Sequence, residues 1–448
     1  MHLGRRPSGL PDSEAAGAEL DPLRLDPRAA WQRTVDLALQ SRVDAVLLAG
    51  DVVDSGNHFM EAYAPLREGA VRLTRAGIDL VAVAGNHDVE ALPRLADEIG
   101  DLSGEAGEGR FVLLGRGATW SSHLVRRDGE PVARVLGWSF ANRRETTSPL
   151  ASLPTALRSG RYEDGAPDEL LTVGLLHCDL GATGSPYAPV GRSELVQLGD
   201  GFSGWFLGHV HVPGIASGEL PVGYLGSLVG MDAGETGPHG PWLATRDGSR
   251  WQLDQHLLSP VRWERREVDI TGCADREQVE SALVAGLRAL AQELEGETDF
   301  TRVVGVRLTL VGRTALPEAE LLTFCGREQK GRLSHPEGDT LYFLDRVLVQ
   351  TRKERDLASL AGGSGPLATA ARQLLALEEG GPECEALVRR ARPALEKAVD
   401  RQELWNARAG VLTDEEVLQH LRTAASRLVD QLLEQGGEVA PALEEVEA

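Results

Sequence analysis

Residues 43–54, VDAVLLAGDVVD, constrain the fold more than any other part of the chain. The apolar run from Ala45 to Ala49 has the length and the polar borders of a buried strand. Gly50 allows a tight bend directly after it. That bend sets the Asp51 carboxylate just past the strand's carboxyl end, the edge at which open α/β sheets bind ligands. The layout recurs three times. Residues 78–84 lead into Gly85, Asn86, His87 and Asp88, residues 171–176 lead into His177, and residues 205–208 lead into His209, Val210 and His211. Four strand-like runs that all end in this oxygen and nitrogen donor set point to one shared site.

Length and charge set the frame. A chain of 448 residues is too long for one compact domain, and length suggests about three. Charged residues at 25% and hydrophobic ones at 42% are ordinary for a soluble globular protein, but the net charge of -22 is not. Proteins that bind DNA by themselves usually carry a basic face. This chain must concentrate its positive charge locally, use metal ions, or borrow a basic surface from a partner. Cys178, Cys273, Cys325 and Cys384 are far apart and form no CxxC pair, which argues against a structural zinc site or a disulfide framework. Free thiols suit a reducing cytoplasm. No apolar run approaches the roughly 20 residues of a membrane span, and the opening MHLGRRPSGL has no hydrophobic signal core.

Read in order, residues 7–27 are polar, with four prolines, and predict a loop. Trp31, Val35 and Leu39 then predict a helix with one buried stripe, and Phe59, Tyr63, Leu66 and Leu73 a second. Residues 90–99 read as a short third helix, so strands and helices alternate as in an α/β fold. Residues 111–114, 119–125 and 132–138 read as strands of a more antiparallel kind, and 142–168 as a long surface loop. Strands are also expected at 222–225 and 242–245. Three domains follow: 1–258 with the donors; 259–350, a small α/β unit with a strand at 263–270, a helix at 276–294 and a strand at 303–311; and 351–448, helical, broken at 362–365 and 380–382 and fraying from 434.

The donors His2, Asp51, Asn86, His87, His177, His209 and His211 mix carboxylate, carboxamide and imidazole. Such a set suits two hard-to-borderline divalent ions, Mn²⁺ first and Mg²⁺ as the alternative. A pair of ions about 3.5–4 Å apart needs a bridging carboxylate, for which Asp51 is the natural candidate, and clamps the attacking and leaving oxygens of a phosphoester. His209 and His211, two apart on extended backbone, face one side. If Asn86 points at metal, the adjacent His87 points elsewhere, to stabilise developing charge or protonate the leaving oxygen. Asp88 is then expected to orient His87.

The motifs Gly50-Asp51-Val52-Val53-Asp54, Gly85 to Asp88, the lone His177 after a strand, and Gly208 to His211 resemble, in order, spacing and strand context, the calcineurin-like metallophosphoesterase superfamily. The His2-Leu3-Gly4 start and Tyr224-Leu225-Gly226-Ser227 resemble its DNA-repair exonuclease branch, which includes bacterial SbcD and YhaO nucleases. The resemblance covers roughly residues 1–255; beyond them it rests on the layout of cap and helices, and residues 344–375 faintly resemble the YhaO type. It implies two packed mixed sheets flanked by helices, a small α/β cap that orients DNA, and C-terminal helices that dock on an SbcC-like coiled-coil ATPase. By the same resemblance Asp51 bridges the ions, Asn86, His177 and His209 complete one of them, and His2 and His211 serve the other. His87 and Asp88 are the catalytic pair, His87 acting on the scissile phosphate without binding metal. A homodimer is expected only by analogy, and no membrane partner is expected.

One departure bears on His2. The superfamily's first motif is Asp-x-His at the end of a first strand, and here Met1 occupies x. The expectation is a start placed upstream; failing that, a weak His2 site. In the chain as given the sheet is expected to show an unpaired edge.

The leading functional expectation is Mn²⁺-dependent DNA hydrolysis. The alternatives are hydrolysis of a small nucleotide or a phosphoprotein, which the acidic charge favours, and a catalytically weakened scaffold. Asp54 reads as a turn carboxylate, and His58 lies near enough to touch substrate. His123, His239, His256, His335 and His420 read as surface or packing histidines, the Arg143-Arg144, Arg265-Arg266 and Arg389-Arg390 pairs as solvated, and Cys178 as packing.

Overall fold

The donor edge is built from two sheets stacked face to face. In the computed structural model the described residues are 1–11, 20–54, 59–100, 109–182, 184–199, 201–325, 333–353, 355–403 and 413–437. They fall into two compact units, Met1–Arg352 and Lys353–Ala448.

The first unit opens with α1 (Pro27–Ser41), started by the Asp26 side chain, which accepts the Arg28 N–H, and by Pro27 at the first helical position. Next come β1 (Ala45–Ala49), α2 (Phe59–Arg75), β2 (Asp79–Val83), α3 (Ala91–Gly100) and β3 (Phe111–Leu113). These three strands form a sheet in the order β1-β2-β3, parallel throughout. The antiparallel character expected of residues 111–114 is therefore not found. A three-residue strand carries no periodicity of its own, and its direction follows from α3 crossing over before it.

Side chains alternate across β2, which explains its unbroken apolar run. Leu80 and Ala82 face the helices, where Trp31, Val35, Leu66, Leu73, Leu92 and Ile99 close the core. Val81 and Val83 face the second sheet and meet Val135, Val173, Leu175 and Phe206. The Trp31 indole N–H donates to the Pro65 carbonyl at 2.9 Å.

The second sheet uses β4 (Trp120–Arg127), β5 (Glu130–Trp138), β6 (Thr172–His177), β7 (Gly204–Gly208) and β8 (Val222–Tyr224), in the order β8-β7-β6-β5-β4. It is mixed: β4 runs antiparallel to β5, as expected, and the remaining neighbours are parallel. Register then gathers the donors. Ala49 pairs with Val83 and His177 with Gly208, so the loops that carry Asp51, Asn86 and His209 leave at one edge beside His177. The segment 142–168 is not wholly irregular, because it holds a 3₁₀ turn at Pro149–Ser152 and a short helix at Thr155–Arg158. The hairpin β9 (Trp242–Asp247) and β10 (Arg250–Gln255) ends this part.

The cap follows without leaving the first unit. β11 (Val261–Asp269), α4 (Arg276–Glu293), β12 (Val303–Val311), β13 (Ser334–Glu337) and β14 (Thr340–Val349) form a sheet in the order β11-β12-β14-β13. One face packs on α4 through Val306, Leu308, Leu283 and Leu287. The other presents Trp263, Val303 and Phe343 to Val229, Met231, Leu25 and Ala30. The second unit contains α5 (Leu357–Gly362), α6 (Pro366–Glu379), α7 (Pro382–Glu403) and α8 (Asp414–Gly437), with small cores around Leu377 and Val417 and around Leu374 and Val429. Residues 438–448, most of the stretch expected to fray, lie outside the described residues. No helix among the described residues is long and apolar enough to cross a membrane.

The free sheet edge expected from the sequence falls on β1. Among the described residues β1 pairs only with β2. Along it lies a cavity of about 650 Å³ whose walls include Leu47, Val125, Val173, Phe206 and Leu253.

Trp31 is fully buried between α1 and α2. Trp31→Ala is expected to cost about 3–5 kcal/mol, read as a lowered denaturant midpoint at unchanged slope.

Candidate metal centre

Asp51 sits where the β1 strand bends. Gly50 has φ +84° and Asp51 φ +48°, and a Cβ on Gly50 would lie 2.6 Å from the His177 Nδ1. Only glycine permits both that backbone and that approach. The turn leaves the Asp51 carboxylate buried at 4% exposure, with each oxygen engaged. Oδ1 accepts the His87 backbone N–H at 2.9 Å. Oδ2 lies 3.3 Å from His177 Nε2 and 3.8 Å from His2 Nε2.

Two donor groups meet at that oxygen. On one side Asn86 Oδ1 is 3.1 Å from His177 Nε2, and the His209 ring stands 5.2 Å from the His177 ring. His177 Nδ1 donates to the Ala49 carbonyl at 2.9 Å, which keeps its Nε2 lone pair turned inward. On the other side His2 Nε2 and His211 Nε2 face each other at 2.9 Å. His2 is held by backbone hydrogen bonds from its own N–H to Asp51 O and from the Leu3 N–H to Val52 O, and it is 1% exposed.

His87 stands at the mouth with 37% of its side chain exposed, and its Nδ1 lies 3.4 Å from Asp54 Oδ1. The same Asp54 oxygen is 3.4 Å from His2 Nδ1, a buried atom with no hydrogen-bond partner among the described residues. Asp54 is thus more than a turn carboxylate. Asp88 does not orient His87 as expected. It is fully buried, and its carboxylate accepts backbone N–H groups, Val52 on Oδ2 and Gly85 on Oδ1, both at 2.7 Å. It ties the two donor loops together, and the carboxylate beside the His87 ring is Asp54.

Charge follows from this packing. Burial works against the Asp51 anion, but His177 and then His2 outweigh it and hold the carboxyl well below its usual range. Burial would likewise lower His177, but Asp51 keeps it above the ordinary imidazole value. Asp54 is drawn down to about 2, first by His2. Burial, and then Asp51, push Asp88 up to about 7. Burial depresses His2 to about 4, so at neutral pH its ring is uncharged and able to ligate.

The donor chemistry fits divalent ions. Inward lone pairs, facing imidazoles and a buried anion with a shared oxygen form two adjoining sets: His177, Asn86, His209 and Asp51, and His2, His211 and Asp51. His2, Asp54 and His87 form a further close group of ligand-type atoms at the rim. Two residues escaped the sequence reading. Glu235 Oε1 lies 2.5 Å from His211 Nδ1, and Tyr187 packs 5.0 Å from the His209 ring. The only signal for Glu235 was its place between Gly234 and Gly237, which marks a turn but not what the turn faces. Of the remaining histidines, His123 pairs with Asp79, His335 with Glu337, and buried His239 bonds Ser227. Arg266 pairs with Glu293, while Arg143, Arg144, Arg265, Arg389 and Arg390 are exposed. Cys178 is buried in the core, as read. His58 lies outside the described residues.

Residues 24–213 match the calcineurin-like phosphoesterase family. Residues 263–323 match the middle domain of the metallophosphoesterase YhaO. The chain is similar to the uncharacterized metallophosphoesterase YhaO of Bacillus subtilis (strain 168), with 28% identity over 246 residues, 54% of this chain and 55% of that protein. The match thus spans about half the length of that relative. Among solved structures, TT1561 of Thermus thermophilus is 13% identical over 44% of this chain and 83% of its own, with a TM-score of 0.30. A dimetal phosphatase from Danio rerio is 14% identical over 51% of this chain and 85% of its own, with a TM-score of 0.32.

The His2 environment yields a pH dependence. Its imidazole titrates near 4 when folded and near 6.5 when unfolded, so the unfolded chain binds the extra proton first. His2 alone is expected to remove about 3 kcal/mol from the metal-free protein as pH falls from about 6.5 to about 4, against an opposing contribution from Asp88, whose raised carboxyl takes its proton first in the folded chain. His2→Gln, which cannot be protonated there, should lose less stability than the unaltered chain over that part of a chemical-denaturation pH profile.

Proposed function

We propose that this protein hydrolyses phosphodiester bonds with two divalent ions, and that DNA is its substrate. The observation that carries the hydrolytic reading is the single Asp51 oxygen lying between His177 Nε2 at 3.3 Å and His2 Nε2 at 3.8 Å. A carboxylate so placed suits two neighbouring cations that share one anionic ligand. His177, Asn86, His209 and Asp51 would hold one ion; His2, His211 and Asp51 would hold the other. When bound, the ions supply Lewis acidity to the phosphoryl oxygens and a water acidic enough to attack at neutral pH.

The chain's own groups then have separate tasks. The backbone bond from His87 to Asp51 sets the GNHD turn over the site. The partly exposed His87 ring stands where a phosphodiester would enter and can protonate its leaving oxygen, with Asp54 beside Nδ1 to steady the charged form. Asp88 keeps the two loops in register through Val52 and Gly85.

The DNA reading rests on the resemblance of the His2-Leu3-Gly4 start and of Tyr224-Leu225-Gly226-Ser227 to the DNA-repair exonuclease branch, and on the helical region after the cap. The C-terminal helices are proposed to dock on an SbcC-like coiled-coil ATPase, which would bring a basic surface to this acidic chain, and a homodimer is proposed beside it. Mn²⁺ is the proposed ion and the cytoplasm the proposed location. The net charge of -22 favours a second reading, in which the substrate is a small phosphodiester.

One experiment addresses both readings. Linear duplex DNA and bis(p-nitrophenyl) phosphate are incubated with the protein in Mn²⁺. Cleavage of both is expected, and His87→Ala should lower kcat about 10²–10⁴-fold while Mn²⁺ binding persists. Cleavage of the small ester alone would replace DNA by the second reading. Full activity in the variant would remove His87 from the mechanism.

A further inference from the structure

The two sides of the centre are braced differently. His177 leans on a backbone carbonyl, that of Ala49. His211 leans on a carboxylate: its Nδ1 is 2.5 Å from Glu235 Oε1, and its Nε2 faces His2. Glu235 is itself fixed at several points. Its Oε2 accepts the Met231 N–H at 2.9 Å, its own N–H donates to Asp232 O at 2.9 Å, and its carbonyl accepts from His239 Nε2 at 3.1 Å. His239 in turn bonds Ser227 Oγ at 3.0 Å, and the Ser227 N–H donates to the His211 carbonyl at 2.8 Å. The turn that carries Glu235 is also pinned to the cap. The Trp263 indole donates to Gly230 O at 3.1 Å, and the Gly237 N–H donates to Trp263 O at 2.8 Å.

We propose that Glu235 is a positioning residue for the ion held by His2 and His211, and that through its turn the packing of the cap strand β11 sets the affinity of that one ion. The inference rests on the two-ion reading above. Glu235 accepts a hydrogen bond from the His211 Nδ1–H, which fixes the tautomer, aims Nε2 at His2, and makes the ring a stronger donor than one braced by a neutral carbonyl. His177, in the other donor set, is braced by the neutral Ala49 carbonyl instead, so the two positions differ in how they respond when Glu235 is removed.

The test is calorimetric titration of the full chain with Mn²⁺, beside Glu235→Gln and Glu235→Ala, with thermal unfolding of each metal-free protein. Two ions are expected on the unaltered chain. In both variants one ion should bind about 10–100-fold more weakly, the other should be unchanged, and Glu235→Gln should unfold close to the unaltered temperature. Two equally tight ions in both variants would overturn the proposal. Parallel weakening of both ions with a lowered unfolding temperature would also overturn it, by making Glu235 merely structural. Failure of the unaltered chain to bind Mn²⁺ would overturn the two-ion reading itself and the proposal with it.

Discussion

The structure depends on one buried carboxylate. Asp51 commits Oδ1 to the His87 amide and leaves Oδ2 between two imidazole nitrogens. An anion with 4% exposure is tolerable only among groups that favour its charge, and His177 and His2 supply that environment from opposite sides. The rest of the site repeats the pattern. Asp88 settles backbone amides, Asp54 lies between His2 and His87, and Glu235 holds His211. Cations would complete the charge balance of such a pocket, which accords with the donor chemistry.

Sheet register does the gathering. Asp51, Asn86, His177 and His209 come from four loops or strand ends separated by up to 158 positions, yet the pairs Ala49–Val83 and His177–Gly208 bring those ends to one edge. Burial of both faces of β2 holds the sheets together, through Leu80 and Ala82 on one side and Val81 and Val83 on the other. Among the described residues β1 is paired on one side only, and its open edge and the cavity beside it end at the His2 and Asp51 turn.

Much of this was legible in the sequence. The apolar runs before Asp51, Asn86, His177 and His209 announced strands because buried strands have few other compositions, and the donor after each run announced the site. Three things were not legible. Residues 111–113 are too few to show a direction, so their parallel pairing with β2 depends on the α3 crossover. Asp88 follows His87 in sequence, but its side chain turns under the loop to meet amides, and the ring's carboxylate neighbour comes from Asp54 on another loop. Glu235 belongs to a glycine-flanked turn with no periodicity, and its partner is 24 positions away. Neighbours in sequence proved poorer guides to side-chain partners than the geometry of the turns.

The central claim is that two cations share Asp51. Crystals of the full chain soaked in Mn²⁺ test it most directly, by anomalous diffraction at the manganese edge. The account predicts two peaks flanking Asp51 Oδ2, one in reach of His177 and Asn86 and one in reach of His2 and His211. A single peak, or peaks that leave Asp51 untouched, would contradict it.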